Sequence, residues 1–264
     1  MDVTILDIRR LSIAFGGVRA VDEVSLSVAA GTVFSIIGPN GAGKTSLFNL
    51  ISGIYTPLDG RVYLAGVDVT GLLADRLARL GLSRTFQNLQ IFFRMTVLEN
   101  VMVGCHRHER TGIFADLLHL PSVGRQNRAT RDRSHAALAR VGLAAEADRP
   151  AAALPYGALK RLEIARALTT QPRVLLLDEP AAGCNAVETA EMASVIRGIA
   201  GDGITVVLVE HDMRLVMNIS DRIHVLANGR TLAEGTAAEV RANPAVVEAY
   251  LGADTSREAI RARA

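Results

Sequence analysis

The chain has 264 residues, of which 49% are hydrophobic and 21% charged, and its formal net charge is +2. A chain of this length can bury a sizeable core without disulfides or structural metals, and it fits one large α/β domain. The small net charge gives no indication of a nucleic-acid partner, and apolar runs such as residues 204–209 are too short for a membrane helix. Two distant cysteines, Cys105 and Cys184, match no metal-binding spacing and fit a reducing compartment.

Two alternating stretches open the chain. Residues 3–13 and 18–28 alternate apolar and polar side chains on either side of a Phe15-Gly16-Gly17 turn, which predicts two antiparallel strands. Phe15 has two open interpretations at this point: it stacks on an adenine, or it anchors the turn to the core.

A glycine-rich segment then follows a buried-strand pattern at residues 32–37 and precedes a helical pattern at residues 46–51. The segment fits G-x-x-x-x-G-K-[ST], the phosphate-binding P-loop. Its glycines let backbone N–H groups surround an anion, and the helix N-terminus adds positive potential. Lys44 is placed for the β- and γ-phosphates and Thr45 for Mg²⁺. The predicted nucleotide-binding residues are Gly38, Pro39, Asn40, Gly41, Ala42, Gly43, Lys44, Thr45 and Ser46.

The stretch from 88 to 97 is strongly apolar and punctuated by polar residues, which favours a docking surface over a sheet strand. Thr96 and Glu99 have capping-box spacing and predict a helix through Val103.

Residues 104–133 are rich in arginine and glycine and predict an irregular insertion. His106 and His108 are either solvated or metal ligands, with solvation as the default. The arginines form a solvated face or contact lipid head groups or a partner. A helix is predicted from Ser134 to Gly142.

Leu154-Pro155-Tyr156-Gly157 stands before an amphipathic helical pattern at residues 158–168. Gly157 is expected just before the N-terminus of that helix, where it gives a second candidate anion site.

A buried-strand pattern at residues 174–178 ends in two acids. An aspartate at the carboxyl end of a strand beside a P-loop, here Asp178, is a second Mg²⁺ contact. Glu179 is placed to polarise a water aimed at the γ-phosphate. His211 follows the strand at residues 204–209 and either reaches the γ-phosphate or is structural or solvated.

The C-terminal part contains two further signals. Asn228-Gly229 predicts a hairpin over residues 222–235. Residues 237–251 predict two short helical turns, broken at Asn243-Pro244.

The order of these features resembles the ATP-binding subunits of ABC transporters. The P-loop is followed by Gln87, by the segment 154–157, by the strand ending in Asp178 and Glu179, and by His211. The segments that are similar to the branched-chain amino-acid uptake group are Phe15-Gly16-Gly17-Val18, Phe86-Gln87-Asn88, residues 95–101, Ala181-Ala182-Gly183, and Asn243-Pro244 together with Ala249-Tyr250-Leu251-Gly252.

This resemblance implies a P-loop NTPase core with a mostly parallel sheet, an N-terminal antiparallel β subdomain and an inserted α-helical subdomain. It implies one domain over residues 1–252, with the helical subdomain at about 88–164, and a tail over residues 253–264.

The resemblance also implies roles by position. Phe15 would stack on adenine, Gln87 would meet Mg²⁺ or the attacking water, and Asp178 would hold Mg²⁺. Glu179 would act as general base and His211 would contact the γ-phosphate. The residues that would complete the ATP site of a partner subunit are Leu154, Pro155, Tyr156 and Gly157.

The implied function is ATP hydrolysis coupled to uptake of branched-chain or related amino acids, with ATP and Mg²⁺ as cofactors. The implied partners are a second ATP-binding subunit, two membrane permeases docking near residues 87–101, and an extracytoplasmic solute-binding protein. The second ATP-binding subunit is expected to be a different chain, with a homodimer as the alternative in isolation. The implied location is the cytoplasmic face of the inner membrane.

The sequence departs from the general family signature, Leu-Ser-Gly-Gly-Gln, at three positions. Pro155 replaces the serine, Tyr156 the first glycine and Ala158 the glutamine. A serine hydroxyl bond to a phosphate is worth roughly 1.5–3 kcal/mol. The hypothesis is that the partner's ATP site, which this segment completes, closes more weakly than the site on this chain's own P-loop. One alternative function is the ATP-binding subunit of another ABC transporter, either for amides or urea or for export of lipid or lipopolysaccharide. The other alternative is a soluble ABC-type ATPase.

Overall fold

The computed structural model describes residues 3–85, 89–105 and 121–250, which form two β-sheets and a set of helices. The strands are β1 (Thr4–Phe15), β2 (Val18–Ala29), β3 (Val33–Ile37), β4 (Asp59–Leu64), β5 (Val67–Asp68), β6 (Leu82–Arg84), β7 (Val174–Asp178), β8 (Thr205–Val209), β9 (Arg222–Ala227) and β10 (Arg230–Gly235). The helices are α1 (Lys44–Ile51), α2 (Ala74–Arg79), α3 (Val97–Val103), α4 (Pro121–Arg140), α5 (Tyr156–Leu168), α6 (Ala186–Gly201), α7 (Met213–Ile219) and α8 (Ala237–Ala242). Residues 244–250 form a further helix, and short 3₁₀ turns cover Ala144–Glu146 and Ala151–Ala153.

The larger sheet has the order β10-β9-β3-β8-β7-β6, and only its β9–β10 pair is antiparallel among the described strands. Every residue of β3, β7 and β8 is buried, as expected for parallel strands covered on both faces. Because these strands run in one direction, their carboxyl ends share one edge of the sheet. The P-loop, Glu179 and His211 all follow strands at that edge.

The parallel sheet separates two apolar cores, because successive side chains of a strand point to opposite faces. Phe34 and Ile36 pack into the core shared with α1 and the antiparallel sheet, whose order is β2-β1-β4-β5. Leu175 and Leu177 point into the other core, which α3, α4, α5 and α6 complete. The predicted fold class is confirmed, while the subdomain boundaries at residues 88 and 164 stay a prediction.

The irregular insertion predicted for residues 104–133 is wrong at residues 121–133, which form the first part of α4. One face of this helix is buried at helical spacing, with Thr130, Ser134, Ala137 and Leu138 no more than 5% exposed. The apolar pattern of the sequence did not indicate this helix, because two of the four buried residues are polar. Ser134 satisfies its hydroxyl by donating to the Thr130 carbonyl at 2.9 Å. His106 and His108 lie outside the described residues.

The features that depend on neighbouring residues form as the sequence predicts. Thr96 accepts from the Glu99 N–H and completes a capping box at the start of α3. Asn228 and Gly229 have φ values of 49° and 78°, which is the backbone that a tight hairpin turn requires. The helix break at Asn243 is present. Within the described ranges, none of the helices combines the length and apolarity that a bilayer-spanning segment needs.

Candidate functional site

The P-loop lies between β3 and α1 in a position that admits only glycine at two points. Gly38 and Gly43 have φ values of 154° and 99°. A Cβ on Gly38 would lie 2.1 Å from the Leu226 carbonyl oxygen, and one on Gly43 would lie 2.2 Å from the Ala20 carbonyl oxygen. The loop is therefore wedged between β9 and the start of β2, and its shape is fixed by the surrounding backbone.

Hydrogen bonds hold the loop from within and from behind. The Ala42 N–H donates to the Pro39 carbonyl at 3.1 Å, and the Gly229 N–H of the β9–β10 turn donates to the Ala42 carbonyl at 2.9 Å. The loop leads directly into α1, so the N-terminal N–H groups of that helix face the same place. This arrangement is the one that binds phosphate in proteins.

Lys44 lies with its ammonium group inside the loop. Nζ donates to the carbonyl oxygens of Gly38 at 2.7 Å and Pro39 at 3.0 Å. Burial lowers the pKa of Lys44, and the nearby Glu179 carboxylate opposes that shift. The ammonium group is thus held within the loop, close to the Glu179 carboxylate that follows β7.

Asp178 and Glu179 come together with His211 because β7 and β8 are neighbours in register. Asp178 pairs with Val209 across the two strands, and the Glu179 N–H donates to the Val209 carbonyl at 3.0 Å. His211 Nδ1 then lies 3.8 Å from a Glu179 carboxylate oxygen. Glu179 has a φ of 48°, a left-handed backbone that costs energy in a non-glycine residue.

The sequence analysis missed Arg84, which is the direct partner of Asp178. Its Nη2 donates to an Asp178 carboxylate oxygen at 2.7 Å, and both side chains are less than 10% exposed. Nη1 donates to Asn49 Oδ1 and Ser52 Oγ, each at 2.7 Å, so Arg84 also joins this acid to the end of α1. Phe48 lies under the guanidinium group, 5.1 Å from it. Arg84 ends the short strand just before Gln87, and that position was its only signal.

Glu210 was missed as well, although it stands beside His211. It is 1% exposed and accepts hydrogen bonds from the backbone N–H groups of Ala181, His211 and Asp212. Burial raises the pKa of Glu210, and these backbone hydrogen bonds oppose the shift. The carboxylate therefore ties the loop after β7 to the loop after β8 and fixes the backbone on which His211 stands.

The segment Leu154 to Gly157 forms the start of α5. Pro155 occupies the N-cap position and offers no side-chain cap. Gly157 is the second residue of the helix, so the expectation that it precedes the helix is wrong by two positions. Its N–H is engaged: it donates to Glu188 Oε1 at 3.1 Å. The Tyr156 ring is 43% exposed and packs against Gly183.

Phe15 ends β1, is 45% exposed, and meets the Tyr55 ring edge-to-face at 5.3 Å. That contact anchors the ring while leaving part of it open, so stacking on a base stays a prediction. Gln87 lies outside the described residues.

The segment that follows Gln87 is attached to α5. The Gln90 N–H donates to Glu163 at 2.7 Å, and Arg166 donates to the Gln90 carbonyl. Burial raises the pKa of Glu163 and lowers that of Arg166. Phe92 and Phe93, in contrast, are 47% and 50% exposed. The predicted docking surface thus exposes aromatic side chains, while its backbone is hydrogen-bonded to α5.

Comparisons with known proteins bear directly on this arrangement. A family model described as ABC transporter matches residues 21–182. The high-affinity branched-chain amino acid transport ATP-binding protein LivG of Escherichia coli (strain K12) is 45% identical over 96% of this chain and 99% of its own length. The chain belongs to the ABC transporter family. A second model, described as branched-chain amino acid ATP-binding cassette transporter, matches residues 230–255.

Two further relatives support membership of this family. The corresponding Pseudomonas aeruginosa protein, BraF, is 45% identical over 96% of this chain and 99% of its own. A crystal structure of an ABC transporter cassette in its ADP conformation superposes with a TM-score of 0.83 at 34% identity, covering 94% of this chain and 99% of that one. The chain is therefore an ATPase whose reaction is coupled to transport, and its cofactors are ATP and Mg²⁺. ATPases of this family dimerise and act with permease subunits.

Proposed function

We propose that the chain is the ATP-binding subunit of an importer for branched-chain amino acids. The observation that carries this proposal is the near full-length identity to LivG and BraF, two proteins named for that transport. The match at residues 230–255 adds to it, because this segment lies outside the part that matches the general family model. Tyr250 of this segment packs close to the P-loop. Burial raises its pKa to about 12, opposed by a hydrogen bond with the Gly38 backbone.

The residues at the sheet edge fit a magnesium nucleotide. A Cβ on Gly38 or Gly43 would collide with a carbonyl oxygen of Leu226 or Ala20 behind the loop, so the surrounding backbone fixes the loop's shape. The donors of the loop are backbone N–H groups and the Lys44 ammonium, which suit a phosphate. The residues that would hold Mg²⁺ are Thr45, Gln87 and Asp178, the oxygen ligands that this ion prefers. Bound Mg²⁺ would neutralise charge on the phosphate oxygens.

The chain's own groups then divide the work of hydrolysis. Lys44 binds the β- and γ-phosphates and orients them within the loop. Glu179 takes the proton of the attacking water. His211, within 4 Å of Glu179, contacts the γ-phosphate and so positions the carboxylate and the phosphate relative to each other. Phe15 stacks on the adenine and sets the outer limit of the site.

The proposed assembly pairs this chain with a second, different ATP-binding subunit, two permeases and an extracytoplasmic solute-binding protein, at the cytoplasmic face of the membrane. A groove of about 350 Å³ between α2, β6, α3 and α5 supports permease docking. Its apolar wall includes Ala74, Leu82 and Val103. Exposed Phe92 and Phe93 lie on the neighbouring segment, as a surface for an apolar helix would require.

Uptake of radiolabelled leucine, isoleucine and valine tests this function. In cells from which the gene is deleted, energy-dependent uptake of all three should fall, and the wild-type gene should restore it. The gene carrying Glu179→Gln should not restore it, because that variant binds nucleotide without turnover. Uptake that persists in the deletion strain, with loss of urea or amide uptake instead, would assign the chain to another solute.

Pro155→Ser is expected to raise the ATPase rate at low ATP in the presence of the second ATP-binding subunit. A serine at this N-cap position offers a hydroxyl that proline lacks, for the helix end or for the partner's phosphate. The matched control is Pro150→Ser, a proline that precedes a 3₁₀ turn and lies outside the segment 154–157. An unchanged rate and unchanged nucleotide affinity in Pro155→Ser would contradict the hypothesis of a weakly closing site.

A further inference from the structure

One carboxylate, that of Glu188, joins the beginnings of two helices. Its Oε2 accepts from the Asn185 N–H at 3.0 Å, while the Asn185 side chain accepts from the Glu188 N–H at 3.0 Å, which completes a capping box on α6. Its Oε1 accepts from the Gly157 N–H on α5 at 3.1 Å. Glu188 therefore closes one helix terminus within its own loop and occupies the terminus of another.

The fit between Glu188 and Gly157 is close. A Cβ on Gly157 would lie 2.7 Å from the Glu188 carboxyl carbon, so the carboxylate fills the space that any other side chain would need. The two helices meet again at the Arg161–Glu191 ion pair, at 3.0 Å, and Tyr156 of α5 contacts Gly183 in the loop after β7. The segment 154–157 and the loop after β7 are thus held as one unit.

The chemistry of this contact bears on ATP. The N-terminus of a helix attracts anions, and a carboxylate from the same chain satisfies it as a phosphate would. In the proposed dimer, the partner's γ-phosphate approaches this same terminus of α5. Two anions that share one N–H group repel each other strongly in a site that excludes water.

We propose that Glu188 is a positioning residue that occupies the α5 terminus until the phosphate of the partner's ATP displaces it. This inference rests on the proposed function and deepens it, because it states what the phosphate must do to close the dimer. When the phosphate displaces Glu188, Gly157 is released from the loop that carries Asn185. Closure at one ATP site therefore changes the contacts of the loop after β7. Glu188 thereby raises the ATP concentration at which the two subunits close.

The test uses the purified transporter complex and the ATPase rate as a function of ATP concentration. Glu188→Gln keeps the size of the side chain and one acceptor oxygen but removes the charge. The concentration of ATP at half-maximal rate should fall roughly three- to tenfold, as expected for removing a charge at a helix terminus. The maximal rate should change much less, since the groups around Glu179 are untouched.

Glu191→Gln is the matched control. Glu191 lies on α6 near Glu188 and also contacts α5, through Arg161, but it does not touch Gly157. This variant should keep the wild-type ATP dependence. A half-maximal concentration in Glu188→Gln that is unchanged or raised, or that moves equally in Glu191→Gln, would overturn the proposal.

Hydrogen exchange in the isolated chain separates this inference from the proposed function. The Gly157 amide should exchange faster in Glu188→Ala than in the wild type, and Glu191→Gln should leave it unchanged. Equal exchange in the wild type and Glu188→Ala would overturn the contact itself. A wild-type complex without ATPase activity or uptake would instead overturn the proposed function, whatever the exchange result.

Discussion

Replacing Glu179 by glutamine is expected to preserve Mg-ATP binding and to lower the rate of hydrolysis by roughly 10²–10⁴-fold, the usual contribution of a positioned general base. The amide has the shape of the carboxylate but cannot take a proton from water. The backbone of Glu179 is held by its own N–H bond to Val209, and its side chain lies close to His211. The substitution should therefore leave the surrounding geometry intact.

Two measurements check this result: the dissociation constant for Mg-ATP and the single-turnover hydrolysis rate. Glu239→Gln serves as control, because it removes a carboxylate from the capping box of α8 and should leave turnover at the wild-type value. Wild-type turnover in Glu179→Gln would remove Glu179 as the base. Loss of ATP binding in the same variant would show that the carboxylate supports the nucleotide site rather than the chemistry.

Arg84→Met is expected to destabilise the chain by about 3–5 kcal/mol, the cost of breaking a buried ion pair by removing one partner. The Asp178 carboxylate would be left in the protein interior without its cation, since its side chain is only 6% exposed. Adding Asp178→Asn to the same chain should recover part of the loss, because the unpaired charge is then gone. Urea unfolding of both single variants and the double variant measures this coupling.

An exposed ion pair provides the comparison. Arg61 lies 3.3 Å from Asp68, and both side chains are more than 40% exposed. Arg61→Met should unfold at the denaturant concentration of the wild type, since water replaces the lost partner. If Arg84→Met unfolds together with Arg61→Met, or if the double variant is less stable than both single variants, the buried pair does not have the structural weight assigned to it.

Sequence alone was sufficient where a signal is local. The P-loop, the Thr96–Glu99 capping box and the Asn228-Gly229 turn each depend on residues within a few positions. The fold class was implied by the resemblance to ABC transporter subunits. Two functional contacts were not predicted, because the partners in each are distant in the chain. Arg84 meets Asp178 across the sheet, and Glu188 meets Gly157 across two helices.

Burial that does not follow hydrophobicity accounts for the other failures. Thr130 and Ser134 face the interior of α4, and a hydrophobic pattern cannot register them. Glu210 is fully buried because three backbone N–H groups surround it, and such groups are invisible in a sequence. The position of Gly157 inside α5 depends on Pro155 as the N-cap, a residue that cannot cap with its side chain. In each case a polar group is buried with partners that only the fold supplies.

Calorimetric titration of the purified chain with Mg-ATP tests directly whether this edge of the sheet binds a nucleoside triphosphate. Lys44→Ala is the paired measurement, because Lys44 is the cation inside the loop and its ammonium group donates to the loop carbonyls of Gly38 and Pro39. We expect one bound ATP per chain and loss of that binding in Lys44→Ala, with the circular dichroism spectrum unchanged. No binding to the wild-type chain, or equal binding to both proteins, would contradict this expectation.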